Sequence, residues 1–135
     1  MENRDFILVV ENDPALRTVL EIALTQEGYE VDCAAGGPDA PSHCSERPAD
    51  LVVLGADRPN EDGGAWAVRF RGRAIGPNTK VILMASCDDP DLPGKAARVG
   101  AGGVLLKPFS LANLLQTVTQ CLAGVKGKSV ASGVA

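Results

Sequence analysis

Short apolar runs with no polar alternation recur along the chain: Phe6 to Val10 (FILVV), Leu51 to Leu54 (LVVL), Val81 to Met84 (VILM) and Val104 to Leu106 (VLL). A strand with one wet face alternates polar and apolar residues, so these runs suit strands covered on both faces. Tyr29 to Ala34 reads as a further short strand. Between the runs lie segments of helical spacing. Leu16, Val19, Leu20, Ala23 and Leu24 mark one helix face, opened by Pro14 and stopped by Gly28. Leu111, Leu114, Leu115, Val118 and Leu122 mark another, capped by Ser110 and ended by Gly124. Strands alternating with helices imply parallel pairing through right-handed crossovers, hence a layered α/β sandwich.

The intervening elements are less sharply written. A weak helix from about Pro38 to Glu46 is limited by Pro41, and Pro93-Gly94 should confine a helix within Pro90 to Val99 to its last turns. Asn60-Glu61-Asp62-Gly63-Gly64 is turn chemistry ahead of a helix carrying Trp66, Ala67 and Phe70, whose spacing suits packing on the sheet. Arg69, Arg71 and Arg73 read as a solvated basic face, with a docking surface as the alternative.

Composition bounds the partners. A chain of 135 residues with 45% hydrophobic content supports one core, so residues 1–124 are expected to form one domain. Residues 125–135 are small, polar and aperiodic, as in a flexible tail or the start of a linker. Seventeen acidic against thirteen basic side chains disfavour direct nucleic-acid binding. No run approaches a membrane span and Met1 to Asp5 is not a basic leader, so a cytoplasmic location is expected. Cys33, Cys44, Cys87 and Cys121 are widely spaced and His43 is the one histidine, which suits free thiols better than a metal site or disulfides.

In parallel α/β folds ligands sit beyond the C-terminal ends of the strands. The residues there are Glu11 to Asp13, Gly55 to Asp57, Ala85 to Cys87 and Lys107 to Phe109. Taken together, VVENDP, DLVVLGADRPNEDGG, VILMAS and GAGGVLLKPF resemble the motifs of response-regulator receiver domains over roughly residues 5–124. The resemblance implies a flavodoxin-like three-layer α/β/α sandwich with a five-stranded parallel sheet in the order 2-1-3-4-5 and five helices. It also implies a signalling module of a two-component phosphorelay rather than an enzyme. In that family an acidic pair after the first strand helps hold a divalent cation, an aspartate ending the third accepts a phosphoryl group, a hydroxyl ends the fourth, and a lysine follows the fifth. The cation and the lysine offset the negative charge gathered when a carboxylate attacks phosphorus.

Carried over residue by residue, the pattern is degenerate. The acidic pair falls on Glu11 and Asn12, and the acceptor on Gly55, four residues before Pro59 and eight before Gly63. The switch hydroxyl falls on Ala85 and its aromatic companion on Val104, while Lys107 and Pro108 match. The resemblance therefore implies a pseudo-receiver, not phosphorylated at the usual site and acting through protein contacts. No cofactor or metal is expected: a Mg2+ site is weakened, with Glu11 and Asp13 as its remaining candidates. The partner would be a histidine kinase, a phosphotransfer protein or an output domain, with homodimerisation through the fourth helix, fifth strand and fifth helix left open.

Several readings stay open at this point. Asp57 or Asp13 could serve as a non-standard acceptor, or the space at Gly55 could take a small ligand. Asp13, just before Pro14, suits a helix cap better than a metal ligand. Glu11 and Lys107 could pair in place of the lost acceptor, or Lys107 could reach solvent. Ser86 is a poor substitute for the missing hydroxyl, because neighbouring strand residues point to opposite sides. The family's cis bond before Pro108 would aim Lys107 into the pocket.

Overall fold

The computed structural model describes residues 5–35, 47–55 and 75–124. The chain runs β1 (Phe6–Val10), α1 (Pro14–Gln26), β2 (Glu30–Ala34), β3 (Leu51–Gly55), β4 (Lys80–Ser86), α2 (Leu92–Val99), β5 (Gly103–Lys107) and α3 (Leu111–Leu122). All strand pairs are parallel and the sheet order is β2-β1-β3-β4-β5. This is the expected flavodoxin-like architecture. Three of the five expected helices lie in the described residues; the helix expected from about Pro38 to Glu46 and the one carrying Trp66 and Phe70 lie outside them.

Strand parity explains the layering. Phe6, Leu8, Val10, Val52, Leu54, Val81 and Leu83 form one core, against which α2 lays Leu92, Ala96 and Val99. The alternate residues Ile7, Val9, Leu51, Val53, Ile82, Met84 and Leu105 form the second core, under α1 and α3. Because successive side chains leave opposite faces, an unbroken apolar run is what a doubly covered strand needs. Each fully buried Leu or Ile in these runs contributes roughly 1.5–3 kcal/mol of transfer free energy.

The helices required three corrections. Val19 is 46% exposed, so the seam of α1 is formed by Leu16, Leu20, Ala23 and Leu24, with Val19 on its shoulder. In α3, Leu111 is 48% exposed and Cys121 takes its place on the stripe with Leu114 and Val118. Pro93 does not shorten the helix expected there: α2 begins at Leu92 with proline in its first turn, where the missing N–H costs nothing. Gly100 then ends α2 at a φ of 68°, in the left-handed region that glycine enters freely.

Candidate functional site

The C-terminal ends of β1, β3 and β5 share one side of the sheet. Glu11 continues the parity of Ile7 and Val9, Gly55 that of Leu51 and Val53, and Lys107 that of Leu105. All three therefore meet on the face covered by α1 and α3. Lys107 Nζ lies 3.3 Å from Glu11 Oε1, and the Glu11 residue is 3% exposed. Its second oxygen, Oε2, accepts the Asp13 N–H at 3.0 Å. The alternative in which Lys107 reaches only solvent is thus set aside. The peptide bond between Lys107 and Pro108 is cis, as the motif implied.

The remaining positions separate from this trio. Asn12 and Asp13 are exposed. Asp13 is the N-cap of α1, its Oδ1 accepting the Ala15 N–H at 3.0 Å, which commits the carboxylate to the helix end. Replacing Asp13 by Ala should lower stability by about 1 kcal/mol, while Asn, an equally good cap, should cost only a few tenths. Urea titrations with and without Mg2+ check this: a cap gives the same losses in both, a cation ligand does not. Ala85 and Val104, fully and almost fully buried, share parity with Leu83 and with the α2 side of the sheet. Ser86 follows on the other parity and donates to Asp88 Oδ1 at 2.5 Å. Asp57 lies outside the described residues.

Two participants were missed in the sequence. Arg17 Nη1 donates to the Glu11 carbonyl at 2.8 Å, fixing the backbone from which the buried carboxylate springs. The signal was available: Arg17 stands three and seven residues before the buried Leu20 and Leu24, a cation on an apolar stripe. The second is Asp89, which accepts Lys95 Nζ at 2.6 Å and the Asp91 N–H at 2.9 Å, tying the β4–α2 connection to the first turns of α2. Spacing alone did not reveal it, because Asp89 precedes the helix and its partner lies six residues on.

The Lys95 hydrogen bond, followed by that from the Asp91 N–H, holds the Asp89 carboxyl below its ordinary value of 3.8. A depressed carboxyl contributes stability above its unfolded value, and this is lost as pH falls through the folded one. Asp89→Asn should therefore lower the urea midpoint at neutral pH, with the difference from wild type closing as pH falls below the ordinary carboxyl value of 3.8. Burial raises the Cys33 thiol to about 11, with the Glu21 charge adding to it, and burial also raises Cys121. Neither behaves as an activated nucleophile.

With this geometry in place, comparison with known proteins is decisive about the class. The chain belongs to the response regulator receiver domain family, whose model matches residues 7–119. It is 30% identical to a probable chemotaxis protein CheY of Rhizobium etli, over 89% of this chain and 94% of that protein. It is 32% identical to the transcriptional regulatory protein PmrA of Pectobacterium parmentieri, over 91% of this chain but 54% of that protein. The chain thus spans about half the length of several of the curated relatives it matches. Among solved structures, the signal receiver domain of an HD domain-containing protein from Pseudomonas fluorescens Pf-5 superimposes with a TM-score of 0.76 at 27% identity. That match covers 91% of this chain and 98% of the other. Receiver domains are modules of two-component signalling rather than enzymes.

Proposed function

We propose that this chain is a pseudo-receiver: a two-component signalling module that takes no phosphoryl group at the end of β3 and acts through protein contacts. The observation that carries the reading is Gly55, a residue without a nucleophile, ending β3 beside the Glu11 carboxylate that pairs with Lys107. Asn12, Ala85 and Val104 support it, since each removes a different part of the phosphorylation chemistry. Domain extent follows the same reading, with residues 1–124 as the module and 125–135 as a tail or the start of a linker. A histidine kinase, phosphotransfer protein or output domain is the partner class, met in the cytoplasm. The surface formed by α2, β5 and α3 is the proposed contact face, open also to a second copy.

Receiver domains typically hold Mg2+ at their phosphorylation site, and the donors described here do not suit it. Glu11 is engaged by Lys107 and by a backbone N–H, position 12 is a neutral amide, and the Asp13 carboxylate caps α1. Among the described residues no three His, Cys, Asp or Glu side chains gather as a metal set. Hard divalent cations favour several anionic oxygens, and a carboxylate shared with an ammonium is a poor one. Among the same residues no helix is long and apolar enough to cross a membrane.

Intact-mass spectrometry after incubation with Mg2+ and a small phosphodonor tests the proposal. The expected result is no gain of mass. A stoichiometric gain of one phosphoryl group, lost in Asp57→Ala or in Asp13→Ala, would overturn it and assign a displaced acceptor.

A further inference from the structure

Glu11 does more than neutralise Lys107. A Cβ built on Gly55 would lie 2.5 Å from Glu11 Oε1 and 3.3 Å from the Val10 carbonyl oxygen. The first distance is shorter than Cβ contacts observed in proteins, so the carboxylate in this rotamer and any side chain at position 55 exclude one another. The same oxygen contacts Lys107 Nζ, the other oxygen accepts the Asp13 N–H, and Arg17 grips the carbonyl of the same residue. One residue therefore holds both the volume and the cation at the centre of the sheet's C-terminal edge, and it is almost fully buried while doing so.

We infer that Glu11 is an autoinhibitory contact, an internal anion that keeps the end of β3 closed to small tetrahedral oxyanions of the phosphate class. An oxyanion arriving there would need the space above Gly55 and the charge of Lys107. With Glu11 in place it meets instead a like charge at contact distance, on a carboxylate that is 3% exposed and therefore weakly screened by water. Glu11 cannot swing away without cost, because its buried carboxylate would leave the Lys107 ammonium and a backbone N–H that both satisfy it. The inference rests on the reading of a pocket that takes no phosphoryl group and adds what closes it.

The test is a backbone amide NMR titration of the whole chain with inorganic phosphate, in wild type and in Glu11→Ala. Wild type should show no saturable shift at Gly55, Ser86 or Lys107. Glu11→Ala should show saturable shifts at these amides, with affinity raised at least about tenfold, the factor a single modest like-charge contact supplies. The double variant Glu11→Ala/Lys107→Met should lose them. If Glu11→Ala does not retain a folded spectrum, Glu11→Gln, which keeps the volume and drops the charge, carries the same expectation with a smaller gain. Saturable shifts in wild type, or their absence in a folded Glu11 variant, overturn the inference. Covalent phosphorylation of wild type, read by mass, fails the parent reading instead, so the two outcomes are separable.

Discussion

Lys107→Met is expected to lower the unfolding free energy by about 2–3 kcal/mol, below the roughly 3–5 kcal/mol lost when one partner of a fully buried ion pair is removed. The thioether retains most of the lysine stem's packing, so the loss isolates the charge. What is left behind is a carboxylate at 3% exposure whose remaining described hydrogen bond comes from the Asp13 N–H. The lysine end is 21% exposed and the contact is 3.3 Å long, which places the estimate below that for a fully enclosed pair. Urea unfolding monitored by circular dichroism measures it. The companion Glu11→Gln should cost less, because Lys107 retains access to water. A midpoint for Lys107→Met equal to that of wild type would show that the pair is not what holds these strand ends together.

Gly55→Asp has the opposite chemistry and a comparable effect. It introduces a second carboxylate where Glu11 Oε1 stands 2.5 Å from the Cβ position, so Glu11 must move and two anions then share one ammonium. We expect a loss of about 2 kcal/mol at neutral pH, since like charges held together raise the pKa of one of them. The sign follows from linkage. A carboxyl raised in the folded state binds more protons there than in the unfolded chain, so the penalty is small near about pH 4 and grows as pH rises through the folded value. Mg2+ should recover part of the loss, because two adjacent carboxylates offer what one lysine-bound carboxylate does not. Wild-type stability should not respond to Mg2+. A variant equally stable at low and neutral pH, and indifferent to Mg2+, would mean that Glu11 vacates the pocket freely.

Much of the fold was legible because the strands announce themselves. FILVV, LVVL and VILM allow no amphipathic alternation, and a sheet buried on both faces is the structure that accepts them. The starts of α1 and α3 were equally readable, since Asp13 and Ser110 are cap residues by chemistry and cap in fact. The helix faces were read less well. Val19 and Leu111 are apolar yet exposed, because hydropathy says which residues tolerate burial and not where the sheet's edge falls. The trio at the strand ends could be named from the family resemblance, but its closure could not. That Glu11 turns toward Gly55 rather than outward depends on the register joining β1, β3 and β5, and on Arg17 gripping the Glu11 carbonyl.

The division of the sheet by parity carries one further consequence. Glu11, Gly55 and Lys107 face α1 and α3, while Ala85 and Val104 face α2, and a methyl group on Ala85 can form no hydrogen bond across the strand ends. Two sites influence one another only through an element with two arrangements whose balance both can bias, and the coupling is reciprocal. On the proposed pseudo-receiver reading, with no hydroxyl at position 85 and no aromatic ring at position 104, that route between the pocket and the α2 side is expected to carry no coupling. In thermodynamic terms the sheet would then insulate rather than conduct: a protein docked against α2 should gain or lose no affinity when the pocket is rebuilt.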